Sequence, residues 1–140
     1  MIKADNIIDD FIAKIKANQY FSDKKVICAY PYSVKPTVLK KVVVAAGIKE
    51  IHLSDASVGQ NVKAGSYSVF ADAFIPFELS DTVPRQIVSE ICKSVVEDNI
   101  VSVYVSEIKA SRTAQCLVLR MDLTFNDELC FDTEVNQNEQ

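Results

Sequence analysis

A chain of 140 residues and 15.6 kDa is long enough to bury one hydrophobic core and too short for two. Hydrophobic residues at 49% and charged residues at 24% exclude a disordered chain, and a net charge of −4 excludes an overall basic field able to hold phosphate backbones non-specifically. The longest apolar stretch, "VVVAAGI" from Val42 to Ile48, is far short of a membrane span, and the aspartates of "MIKADNIIDDF" stand where a signal peptide needs a basic flank. The expectation is a protein made and kept in a cytoplasm, with no membrane partner and no sequence-specific nucleic-acid binding.

In chain order, Ala4, Ile8, Phe11, Ile12 and Ile15 recur at helical spacing and predict a first helix over about Ala4 to Ala17, with Asn18 as its stop. "KKVICAY", Lys24 to Tyr30, reads as a short strand closed by the prolines of "PYSVKP". Lys41 to Leu53 is β-rich, but Ile48 and Ile51 fall out of phase, which a bulge near Gly47 would repair. "SDASVGQNVKAG", Ser54 to Gly65, has two of the three glycines and no periodicity, so it reads as a long mobile connection between neighbouring strands.

"SYSVFADAFI" then alternates, with Tyr67, Val69, Ala71, Ala73 and Ile75 on one side and Ser66, Ser68, Phe70, Asp72 and Phe74 on the other. "LSDTVPRQ" offers capping residues and an early Pro84, which suits a first helical turn because its missing N–H would have had no partner there. The second helix runs to about Asp98, with Val83, Ile87, Val88, Ile91, Cys92, Val95 and Val96 on one stripe. Two strands close the chain: "IVSVYVSEI", with Val101, Val103 and Val105 on one face, and "AQCLVLRMDLTF", with Leu117, Leu119, Met121, Leu123 and Phe125 on one face and Arg120, Asp122 and Thr124 on the other. "KASRT" is the polar turn between them. Periodicity ends at Asn126, and the last residues read as disordered.

These elements give an α+β domain, in the order α-β-β-β-α-β-β. An antiparallel or mixed sheet of about five strands carries two helices on one face. One domain spans residues 1–128, and residues 129–140 form a polar, partly disordered tail.

A search for chemistry returns little. His52 is the only histidine, so a two-histidine metal site cannot form within one chain. A hydrolase built on His52 with Asp55 as orienter lacks any nucleophile in a context such as GxSxG. Cys28, Cys92, Cys116 and Cys130 contain no CxxC pair and read as reduced filler. Asp9 with Asp10, and Asp127 with Glu128, are adjacent in sequence and point apart. Gly59 and Gly65 bracket "QNVKA" without the Lys-Ser or Lys-Thr of a phosphate loop. Lys35, Lys40 and Lys41, near Tyr30 and Tyr32, form the one basic and aromatic patch, and solvated lysines suit the acidic total better than a nucleic-acid contact. The expectation is no catalytic residue, no metal and no cofactor.

The chain resembles the tail-terminator, or tail-completion, proteins of long-tailed bacteriophages and phage-tail-like bacteriocins. The likeness runs from about Ile2 to Glu128. It is carried by "NQYFSDKKVICAYPYSVKP" after the first helix, "VVVAAGIKEIHLSD", the strand-to-helix join "VFADAFIPFELSDTVPRQIVSEI", and the closing pair "VSVYVSEI" and "LVLRMDLTFND". It lies in element order and texture rather than in an invariant motif, and other head-to-tail joining and tail components share small α+β domains. The resemblance implies a ring, usually of six subunits, that caps the last ring of the tail tube, stops its growth and meets the neck or head. Partners would be further copies of the chain and the tube protein, with sheath and neck proteins beyond them. The site would be the host cytoplasm during assembly and then the particle itself.

Two regions are candidates for the subunit or tube interface. Phe70 and Phe74 place large aromatics on the sheet face away from the helices, which suits either a subunit contact or a second small core under Leu129 or Phe131. The other region is the loop with Asp55, Val58, Gly59, Gln60, Asn61, Val62 and Lys63. A competing reading, from a different class, is a small intracellular module that holds a peptide or protein along an exposed sheet edge.

Overall fold

The computed structural model describes residues 2–29, 40–57, 62–79 and 83–130. The chain folds as β1 (Ile2–Lys3), α1 (Ile7–Ala17), β2 (Lys25–Cys28), β3 (Val43–Ser57), β4 (Val62–Pro76), α2 (Val83–Ser94), β5 (Ile100–Val105), β6 (Lys109–Ser111) and β7 (Cys116–Cys130). A 3-10 turn over Ala4–Asn6 leads into α1. The fold is α+β, with one mixed sheet and both helices on the same face.

Three 15-residue strands form the frame. β4 lies between β3 and β7, antiparallel to both, and its ladder with β7 is unbroken from Val62↔Cys130 to Pro76↔Cys116. β2 pairs in parallel with the start of β3, Lys25–Cys28 against Val43–Ala46. The outer side of β7 carries β6, β5 and β1 in turn along its length. The sheet therefore has seven strands rather than about five, the additions being the two-residue β1 and the three-residue β6, too short to leave a periodic signal.

One core joins the helices to the sheet. Ile7, Phe11 and Ile15 of α1 and Ile87 and Ile91 of α2, with Val95 just beyond it, pack on Val44, Ala46, Val69, Ala71, Ala73 and Ile75, and on Leu119, Met121, Leu123 and Phe125. Ala46, Ala71 and Ala73 are small, which lets the helices lie close to the strands. Each fully buried Ile or Leu contributes roughly 1.5–3 kcal/mol. Asn18 ends α1 as the sequence predicts: its N–H bonds the Ile15 carbonyl at 3.0 Å, and its side-chain amide donates to the Glu90 carbonyl at 3.2 Å and to Ser94 Oγ at 3.1 Å. One residue thus caps the first helix and ties it to the second.

The structure corrects three expectations. The segment Ser54 to Gly65 is not a long loop: β3 continues through Ser57, β4 starts at Val62, and Ser57 pairs with Lys63. Backbone ladders need no side-chain periodicity, and β4 is held here from its other side by Asp127–Cys130 of β7. For the same reason the chain does not turn into a tail at Asn126; β7 runs on to Cys130 and buries Leu129 fully. Residues 131–140 lie outside the described residues. α2 ends at Ser94, so Val96 leaves the stripe and is 71% exposed. The bulge expected near Gly47 is present, as a register shift between Ile48 and Glu50. "PYSVKP" and the capping stretch before Val83 lie outside the described residues.

Candidate subunit interface

The face away from the helices is closed by its own side chains. Arg120 donates to both carboxylate oxygens of Asp72, at 2.6 and 2.7 Å, while Asp72 retains only 5% side-chain exposure. The Arg120 guanidinium also lies 4.4 Å from the centre of the Phe70 ring. Beneath that ring is Gly47, where an added Cβ would come within 2.7 Å of Phe70 Cζ. The aromatic is therefore laid across β3 in the space a side chain would need. Lys49 bonds Asp122 at 2.9 Å, and Ser68 pairs with Thr124 at 2.8 Å.

This arrangement corrects the reading of Phe70 and Phe74 as a bare pair. Both are half-buried, and Leu129 does not cover them, because it lies an even number of residues from Phe125 and so faces the helices. Phe131 lies outside the described residues. Of the loop candidates, Asp55 belongs to β3 and Val62 and Lys63 to β4, while Val58, Gly59, Gln60 and Asn61 lie outside the described residues.

His52 is exposed on β3, opposite Ser66 of β4. Among the described residues no side-chain hydrogen bond joins the two. No cluster of three or more His, Cys, Asp or Glu gathers among the described residues as a metal site would require. Cys92 and Cys116 are free thiols, and burial pushes both above the ordinary thiol range, which keeps them protonated and unreactive. Lys35, Tyr30 and Tyr32 lie outside the described residues. Lys40 and Lys41 line a shallow cleft of about 340 Å³ with Lys24, whose Nζ stands 4.0 Å from the Tyr20 ring centre. A second, polar cleft of about 380 Å³ is lined by Asp10, Lys14, Tyr67, Asp98 and Asp127. Lys14 is bound there by Asp98 at 2.7 Å and Asp10 at 3.3 Å, so the cleft's charges largely answer one another. No described helix is long and apolar enough to cross a membrane.

Exposed apolar side chains instead concentrate at the two lateral borders of the sheet. On one border are Val101, Val103, Tyr104 and Val105 of β5, with Ile108 just past it. On the other, Ile48, Ile51 and Leu53 of β3 are each 40% exposed. β2 covers β3 only as far as Ala46, and past that point no described strand pairs with the outer edge of β3. The outer edge of β5 is likewise open among the described residues. Proteins that keep such edges apart blunt them with Lys, Pro or bulges that turn the edge away. "IVSVYV" has no charge and no proline, whereas the open part of β3 carries Lys49 and the bulge between Ile48 and Glu50.

No family model matches the chain, and no curated protein matches it. A solved structure that bears an identifier and no description is 10% identical, with 84% of this chain and 94% of that chain covered, and superimposes with a TM-score of 0.43. Likeness at that level carries no weight for function.

Proposed function

We propose that the protein is a structural subunit of a ring that ends the growth of a phage or phage-like tail tube and presents a surface to the neck or head. The observation that carries this reading is the placement of most of the exposed apolar residues at two different borders of one sheet, while on the broad face between them Phe70 and Phe74 are half-buried and Asp72 is paired with Arg120. A subunit with two unlike sticky edges on opposite sides is suited to head-to-tail association, which gives a ring where the rotation between copies closes and an open filament where it does not. The resemblance in element order supplies the kind of particle. The partners are further copies of the chain and the last ring of the tube.

The competing reading, a module that takes an extended peptide along an open strand, draws on the same edges. It predicts a monomer that binds one peptide at one border. The deciding experiment is deletion of the gene in its source cells, with any tail-like particles purified and their tail length read by electron microscopy. Tubes of uncontrolled length are expected; tails of normal length would remove the terminator role.

A further inference from the structure

We propose that residues 131–135 of one copy dock in a cleft of another copy, the cleft that lies where the end of α1, the start of α2 and the start of β3 meet. The inference goes beyond the function proposed above and does not depend on it.

The cleft, of about 340 Å³, joins positive charge to apolar surface. Lys24, Lys40 and Lys41 line it, and among the described lining residues Asp23 is the one carboxylate that answers them. Lys24 is engaged, donating to Asp23 at 3.0 Å and to the Tyr20 carbonyl at 3.1 Å. Lys40 and Lys41 are exposed, and neither bonds a described residue. Beside the lysines stand Tyr20, Val83 and Leu79, the last 41% exposed. Inorganic phosphate would satisfy the lysines and leave Leu79 in water, and a purely apolar peptide would do the reverse. The occupant that satisfies both is a segment with carboxylates and large apolar side chains close together.

This chain carries such a segment directly after β7. "FDTEV", residues 131–135, sets Asp132 and Glu134 among Phe131 and Val135. The last ten residues hold the carboxylates of Asp132, Glu134 and Glu139 and no Lys or Arg, in a chain whose whole excess of acidic over basic side chains is four. The acidic end of the sequence and the basic cleft are therefore complementary in charge, and Phe131 and Val135 supply what the lysines cannot hold.

Reach decides that the two belong to different copies. Val42 lines the cleft, and the next residue, Val43, is level with Phe74 and Val118. The segment begins after Cys130, twelve residues along β7 from Val118, at the opposite end of the sheet. Twelve steps of a strand cover roughly 40 Å. Five residues beyond Cys130 span at most about 18 Å, so they cannot return to the cleft of their own sheet. The contact joins unlike patches at opposite ends of two copies, which is a head-to-tail contact.

Photo-cross-linking from the segment, in the full chain, tests the contact. Thr133→Cys is made in a Cys28→Ser/Cys130→Ser background, which leaves the half-buried Cys92 and the buried Cys116 as the other thiols. A thiol-linked benzophenone on position 133 leaves Asp132 and Glu134 in place. The labelled chain is mixed at high concentration with ¹⁵N-labelled wild-type chain and irradiated, and adducts are located by mass spectrometry, with folding of every variant checked by circular dichroism. Adducts are expected on the heavy chain, at Lys40, Lys41, Leu79 and Gln86. Lys40→Glu/Lys41→Glu in the heavy chain should lower their yield roughly tenfold, because two exposed attractions become repulsions. Asp132→Lys/Glu134→Lys in the light chain should then restore it.

Adducts in the light chain's own cleft, adducts spread over the heavy chain, none on it at all, or a yield indifferent to charge reversal would each overturn the proposal. Loss on reversing the cleft without recovery on reversing the segment would give the cleft another occupant and overturn it as well. Trapping reads a contact too weak for sedimentation and says nothing of tail length. Its failure therefore leaves the terminator role standing, and normal tails in the deletion strain leave the docking standing.

Discussion

Ile48 and Val103 lie on one line across the sheet, joined through Val69 and Leu123, and each is 40% exposed at its own border. Their connecting residues are fully buried, so the line runs from solvent, beneath the helices, to solvent again. A proline at position 103 separates folding from assembly. The outward N–H of Val103 makes no bond to the described residues, and an edge strand tolerates proline at such a site. Val103→Pro is expected to keep its circular dichroism spectrum and to lose about 1 kcal/mol or less in a urea melt. Self-association, followed by analytical ultracentrifugation, should be lost.

The Arg120 and Asp72 pair makes an opposite prediction. Because Asp72 is nearly sealed from water, removing its bidentate partner leaves a buried carboxylate without the guanidinium that answers it. Arg120→Met is expected to destabilise the fold by about 2–4 kcal/mol, less than a fully buried pair would cost because Arg120 itself is partly exposed. Urea unfolding of the purified variant measures it, and a change below about 0.5 kcal/mol would mean that the pair is a surface decoration.

Alkaline pH should weaken the fold. Burial, reinforced by the charges of Asp127 and Asp98, pushes the Tyr67 hydroxyl from 10.0 up to about 12. Burial lowers Lys14, but the hydrogen bonds it donates to Asp98 and Asp10 outweigh that and raise the amine above its ordinary value. Both groups hold their protons more tightly when folded, so their contribution is complete below pH 10 and falls as pH rises through the folded values. The Tyr67 part amounts to on the order of 2 kcal/mol between pH 10 and 12. Tyr67→Phe should flatten that portion of the stability curve, as followed by thermal melts across the range.

Much of the fold is legible in the sequence because its periodic segments are the ones that pack. Val69, Ala71, Ala73 and Ile75 alternate and are buried; Ile87, Ile91 and Val95 follow helical spacing and are buried. Illegible parts are those where backbone pairing, not burial, decides the structure. Ser57 and Val62–Gly65 become ladder because neighbouring strands extend far enough to hold them, with a register shift between Leu53 and Ser57, and β1 exists only because Ile2 and Lys3 meet Leu129 and Cys130. The exposure of Phe70 is illegible for a related reason. Alternation shows which face an aromatic occupies and not what lies under it, so Phe70 reads as bare until Gly47 and Arg120 are found on either side of it. The open borders appear only once strand order is known.

Tail length in particles made with Val103→Pro in place of the wild-type chain tests the central claim most directly. If the chain caps tubes as a ring closed through its β5 edge, cells carrying the folded variant should produce tubes of uncontrolled length, as the deletion does, while the wild-type chain restores a single length. Tails of normal, uniform length from the folded Val103→Pro variant would contradict it.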